Sequence, residues 1–329
     1  MPDSHDRDLR HEIVSLSDHL NRLVVDQSHL VERLMIALLA DGHLLVEGAP
    51  GLAKTRVVKL LASGIEADFK RIQFTPDLLP SDLTGTEVYR PQDASFRFQR
   101  GPLFNHIIVA DEINRAPAKV QSALLEAMEE RQVTVGLQSY ALTELFFVMA
   151  TQNPIEHEGT YPLPEAQLDR FLMKVSMDYP GIAAEQEIMR QQREEILNPT
   201  RDILSTDGLP ISQDTLFRAR RSLLDIYMAP PVEEYIAQLV HATRNPERWD
   251  DQLQGCLRYG ASPRATLAFD RCTRALAWLE NRDYVSPDDV QRLAREILGH
   301  RLVLDYRADT EGFDADSVIA RLLQRVPVP

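Results

Sequence analysis

From Gly48 to Thr55 the chain reads Gly-Ala-Pro-Gly-Leu-Ala-Lys-Thr, two glycines ahead of a lysine and a hydroxyl. That spacing suits a polyphosphate. Glycines let the backbone come close to a ligand and turn successive N–H groups toward its oxygens. Lys54 would bring a point charge to the β- and γ-phosphates, and the Thr55 hydroxyl could hold Mg²⁺. The expected cradle is Gly48, Ala49, Pro50, Gly51, Leu52, Ala53, Lys54, Thr55 and Arg56, with ATP or GTP as ligand. Ala53 stands where the simplest pattern has glycine, so either the loop takes a slightly different path or Gly51 absorbs the awkward turn.

A second constellation follows at His106-Ile-Ile-Val-Ala-Asp-Glu112, an apolar run ending in two adjacent carboxylates. The run reads as a strand buried on both faces. Acids at a strand end are often only solvated, but downstream of a phosphate loop they stand where open α/β sheets bind ligands. Asp111 is then expected to help hold Mg²⁺, and Glu112 to orient and deprotonate an attacking water.

The elements positioning these groups alternate. Apolar spacing over residues 9 to 41 predicts helix, with Asp41-Gly42 as a stop. Strands are expected at His43–Val46, Lys70–Phe74, Ile107–Val109, Leu145–Met149 and Leu172–Val175, and a helix at Ala118–Glu130. Such alternation predicts a mainly parallel five-stranded sheet covered on both faces. Two hairpins interrupt it, one within 83–104 around Pro91-Gln-Asp-Ala, the other at 132–141 around Gly136. Past Tyr179-Pro-Gly181 the period becomes helical, with helices expected at 183–197, 212–226, 231–245, 263–280 and 286–300. Ser262-Pro263 and Ser286-Pro287 open the last two.

Composition narrows the class. The chain has 329 residues, 44% hydrophobic and 26% charged, enough for two domains of a soluble protein. Its net charge of −14 argues against a non-specific grip on nucleic acid. Past residue 182 the cations are all arginines, scattered among acids, which reads as an ion-paired helical surface. Cys256 and Cys272 fit neither a metal knuckle nor a C-x-x-C pair and read as buried thiols, consistent with a reducing cytosol. The polar, acidic start lacks a signal-peptide pattern, and no apolar stretch is long enough to span a membrane.

With Ala150-Thr-Gln-Asn153-Pro, Leu168-Asp-Arg170-Phe and Gly260-Ala-Ser-Pro-Arg264-Ala added to the two motifs, the chain resembles an AAA+ ATPase of the MoxR family. The likeness covers roughly residues 20 to 305, with Asp111-Glu-Ile-Asn-Arg-Ala-Pro and Gly159-Thr-Tyr-Pro-Leu-Pro-Glu-Ala-Gln-Leu-Asp-Arg-Phe as its most specific phrases. Ala53 is usual in that family. Asp26 is a departure, since the family usually has glycine before the glutamine, and it bears on the shape of the adenine pocket. The resemblance implies an α/β AAA+ P-loop core over 1–182 and an all-helical lid domain over 183–329. The insertion at 83–104 would be a helix-2 insert and that at 132–141 a pre-sensor hairpin.

By the same resemblance, the amide of Asn153 would stand between γ-phosphate and water, although an asparagine before Pro154 also forms turns. Arg170 resembles an arginine finger offered to a neighbouring subunit, the bland alternative being a salt bridge with Asp169 or Glu165. Arg264 resembles a sensor-2 arginine, its bland alternative a helix-surface charge. Self-association into a ring, a hexamer by analogy, follows from a finger acting in trans. The implied activity is ATP hydrolysis driving chaperone-like remodelling or maturation of a client, in the cytoplasm, beside a von Willebrand A-domain partner. Competing readings are a nucleic-acid motor, a magnesium-chelatase-like ring subunit and a nucleotide-gated scaffold. The tip Gly136-Leu-Gln-Ser has no Lys or Arg, which disfavours the motor, and Glu112 with Asn153 disfavours the scaffold.

Overall fold

The computed structural model describes residues 4–49, 52, 54–92, 94–153, 159–197 and 210–329. Pro50, Gly51 and Ala53 of the expected cradle, and Pro154, lie outside the described residues. Helices α1 (Ser4–Leu23) and α2 (Ser28–Leu39) precede a P-loop-type alternation of β1 (Leu44–Gly48), α3 (Lys54–Ser63) and β2 (Phe69–Gln73). Then come α4 (Pro80–Thr84), β3 (Gly85–Arg90), β4 (Ser95–Arg100), β5 (Ile107–Asp111), α5 (Ala118–Glu130), β6 (Gln132–Val135), β7 (Gln138–Ala141), β8 (Phe147–Gln152), α6 (Glu165–Leu168) and β9 (Met173–Met177).

Five of these strands form one sheet in the order β2-β5-β8-β1-β9, every neighbouring pair parallel. Because side chains alternate along a strand, Val46, Val109 and Met149 join one apolar layer with Leu34 of α2 and Val57 of α3, while Leu45, Ile108 and Val148 join the other with Leu124 and Met128 of α5. Both faces are covered, and that is why these strands read as unbroken apolar runs. Ile108 is fully buried, and its replacement by alanine should cost about 2–5 kcal/mol. Two strands run past their apolar stretch. β5 extends to Asp111 and β8 to Gln152, because Asp111 pairs with Gln73 and Gln152 with Glu47. Backbone pairing, not hydrophobicity, sets these ends.

The hairpins form as expected, β3 with β4 and β6 with β7. Gly85 has φ 96°, and a Cβ there would lie 2.2 Å from the Gln99 carbonyl oxygen, so only glycine closes the base of the first hairpin. Phe98 stacks on Tyr140 with centroids 4.1 Å apart, joining the two hairpins into one projection.

Past residue 182 lie α7 (Ile182–Leu197), α8 (Gln213–Ser222), α9 (Pro230–Ala242), β10 (Leu257–Tyr259), α10 (Pro263–Leu279), α11 (Pro287–Leu298), β11 (Val303–Leu304), α12 (Tyr306–Glu311) and α13 (Ala315–Arg325). The expectation of helices alone needs one correction: β10 and β11 pair antiparallel. Three and two residues carry too little period to be seen in sequence. Ser262 caps α10 through the Arg264 N–H, 3.1 Å, and Ser286 forms a capping box with Asp289 at α11. These helices share one continuous apolar core with α1, α2 and the near face of the sheet. Both cysteines are buried and unpaired.

Candidate functional site

The sheet order decides what can meet. β1, β8 and β5 are adjacent and parallel, so the cradle after β1, the acids ending β5 and Asn153 after β8 emerge at one edge. Gly48, Leu52, Lys54, Thr55 and Arg56 line a cavity of about 400 Å³ together with Asp111, Glu112 and Asn153. Ala49 is buried beside the loop and does not line it. Lys54 opens α3 and donates to the Gly48 carbonyl at 2.7 Å. Burial draws its ammonium below the ordinary lysine range, and Asp111 and Glu112 oppose that shift. Gly48 has no positive φ among the described residues; its requirement is closeness, since a Cβ would stand 3.0 Å from the Met177 carbonyl of β9.

Four residues that the sequence did not single out hold the acids. Thr151 donates its hydroxyl to Asp111 Oδ1 at 2.6 Å and accepts the Glu112 N–H at 2.9 Å, tying the two acids to β8. Arg71 donates from Nε, 3.0 Å, and Nη2, 2.6 Å, to Asp111 Oδ2. Gln73 donates to Glu112 Oε2 at 2.7 Å, and Arg115 reaches the same oxygen at 3.0 Å. Arg71 and Gln73 alternate on β2, whose register sets them beside Val109 and Asp111. The alternation was visible in sequence, but only the strand order gives β2 the acid-bearing strand as neighbour. Glu112 itself is left-handed, φ 56° and ψ 51°, a conformation that turns its side chain out of the strand's alternation.

The donor set fits Mg²⁺. Thr55 and Asp111 offer hard oxygens to one cavity, and Mg²⁺ characteristically takes one or two such protein ligands together with phosphate oxygens. Among the described residues no cluster of three or more His, Cys, Asp or Glu side chains offers an all-protein metal cage.

Arg170 and Arg264 are elsewhere. They line a second cavity of about 400 Å³ between α5, the start of β9 and α10. Arg170 pairs with Glu129 at 2.9 Å and donates to the Leu125 carbonyl at 2.7 Å, so neither Asp169 nor Glu165 is its partner. Arg264 bonds the other oxygen of Glu129. Asp169 instead accepts from Arg301 Nε and from Ser262 Oγ, both at 2.8 Å, and Arg301 also donates to the Phe171 carbonyl at 2.6 Å. At the position of the departure, Asp26 has φ 56°, a left-handed conformation that suits glycine and that aspartate tolerates better than most residues.

Two family models match the chain: residues 43–173 fit the ATPase family associated with various cellular activities (AAA), and residues 253–322 an AAA lid domain. Chaperone MoxR1 of Mycobacterium tuberculosis is 44% identical over 94% of this chain and 80% of its own length. Protein MoxR of Paracoccus denitrificans is 30% identical over 94% of each. A protein from Cytophaga hutchinsonii, known by crystal structure, superposes with a TM-score of 0.89 at 42% identity, over 98% of this chain and 97% of that one.

Proposed function

This chain belongs to the MoxR family of AAA+ ATPases, and on that premise we propose that it hydrolyses ATP to ADP and phosphate and uses the cycle to remodel or mature a client protein. Residues 1–182 would serve as the nucleotide-binding core and 183–329 as the lid. The observation carrying the reading is the convergence of Lys54, Thr55, Asp111, Glu112 and Asn153 on one cavity at the strand ends.

In this mechanism the loop amides and Lys54 bind the triphosphate, with Thr55 and Asp111 as ligands of Mg²⁺. The cation supplies charge neutralisation on the phosphate oxygens. Asn153 orients the water, and Glu112 takes its proton as the water attacks the γ-phosphorus. Neither Arg170 nor Arg264 lines the cavity of its own chain, which supports their acting on a neighbour's nucleotide in a ring, taken as a hexamer. The stacked hairpins leave Leu137, Phe96 and Tyr89 exposed, apolar contacts for a client polypeptide, and the net charge of −14 disfavours nucleic acid. A von Willebrand A-domain partner and a cytoplasmic site complete the proposal; among the described residues no helix is long and apolar enough to cross a membrane.

Lys54→Ala and Glu112→Gln test it. The first should abolish ATP binding, while the second should keep binding and lose about 10²–10⁴ in hydrolysis. Equal loss of binding in both would remove the assigned division of labour.

A further inference from the structure

We propose that Arg71 is the internal counter-ion of Asp111 and competes with a divalent cation for the same carboxylate oxygen. The inference rests on the phosphate-site reading above. Two donors of one guanidinium, Nε at 3.0 Å and Nη2 at 2.6 Å, meet on Asp111 Oδ2, and the Thr151 hydroxyl takes Oδ1. Charge-assisted bonds of this kind are short and strong, and they engage the lone pairs that a metal would need. A cation ligated by Asp111 would also meet a guanidinium at hydrogen-bond range, far inside the Debye length of about 8–10 Å, where salt screens little.

The remaining charges agree with this role. Arg115 is matched to Glu112 as Arg71 is to Asp111, so each acid of the pair carries its own arginine. Arg71 is also free to yield. β2 is one of the two edge strands of the sheet, and the Arg71 side chain is 52% exposed while Asp111 is 15% exposed, so the guanidinium can swing to solvent without opening the core. Its departure would be felt next door. Arg71 Nη2 donates to Gln73 Oε1 at 3.0 Å, and the same Gln73 amide donates to Glu112. Displacing Arg71 therefore loosens one of the two side chains on Glu112 Oε2, leaving the Arg115 contact in place and coupling cation entry at Asp111 to the surroundings of Glu112.

An apparent affinity is lowered by the fraction of molecules in which the competing contact is made. Removing Arg71 should therefore tighten binding of the cation. The test is titration of Mn²⁺, followed by electron paramagnetic resonance, into the purified chain saturated with ADP. Variants are Arg71→Ala, Arg71→Gln and each of these combined with Asp111→Asn. Both single variants should bind Mn²⁺ roughly fivefold more tightly, the scale of a half-exposed ion pair, and the gain should vanish in the Asp111→Asn background. Unchanged Mn²⁺ affinity in Arg71→Gln with an unaltered thermal melt would overturn the inference, as would an equal gain in the Asp111→Asn background. ADP binding is measured in parallel, both with Mg²⁺ and in EDTA. If the unaltered chain binds no ADP, the phosphate-site reading itself falls; if it binds ADP and Mn²⁺ is indifferent to Arg71, only this inference falls.

Discussion

Arg170 and Arg264 grasp opposite oxygens of a single carboxylate, that of Glu129 at the last turn of α5. One arginine comes from the core beside β9 and the other from the first turn of α10. Two guanidinium groups are thereby presented together, outside the cavity where their own chain would bind a nucleotide. Glu129 aligns the pair, and Asp169 beside it holds Arg301 and Ser262, with Arg301 donating in turn to the Phe171 and Leu172 carbonyls.

If both arginines serve a neighbouring subunit, Arg170→Ala should leave ATP affinity of the isolated chain unchanged and lower hydrolysis by the assembled ring about 10³-fold or more. Fluorescent-nucleotide binding and phosphate release measure the two quantities. Mixing Arg170→Ala with Glu112→Gln subunits should restore part of the activity, and no recovery would count against action in trans.

Asp169 should matter chiefly for stability and for the lid. Arg301 is almost fully buried, and Asp169→Ala would leave its charge without a carboxylate. Breaking such a pair typically costs about 3–5 kcal/mol. Urea unfolding should register that loss, and the added change Arg301→Met should recover part of it; a midpoint shift within error for Asp169→Ala would refute the buried-pair account.

Acid should destabilise the fold through His43. Its Nε2–H donates to the Met128 carbonyl, 3.2 Å, and Nδ1 accepts the Val148 N–H, 3.2 Å, so the ring is held neutral. Burial, then Arg131, pushes it down to about 4 from an ordinary 6.5. The unfolded chain takes up this proton first on acidification. The contribution is therefore intact above about pH 6.5 and drains away as pH falls toward 4, on the order of 3 kcal/mol in total. Denaturation midpoints at pH 7.5, 6 and 5 measure it. His43→Gln should flatten the slope, with a remainder from His300, which burial also shifts well below the ordinary range.

At the left-handed position, Asp26→Val should destabilise by about 1–2 kcal/mol, because a β-branched residue is strained there, while Asp26→Gly should cost nothing measurable. Equal melts for both variants would show that the backbone relaxes.

Local order in the chain already determined the apolar strands, the helix at Ala118–Glu130, both hairpins and the polar groups at the ends of β1, β5 and β8, since each is written in neighbouring residues. Tertiary structure alone decided the rest. Strand order depends on which surfaces pack, and it is what sets Arg71 and Gln73 of β2 against Asp111 and Glu112 of β5. The folding of α10 onto the core likewise brings Arg264 to Glu129 and Arg170 instead of to Lys54. Pairings between residues far apart in the chain leave no local periodicity, because the free energy that selects them comes from burying whole faces together.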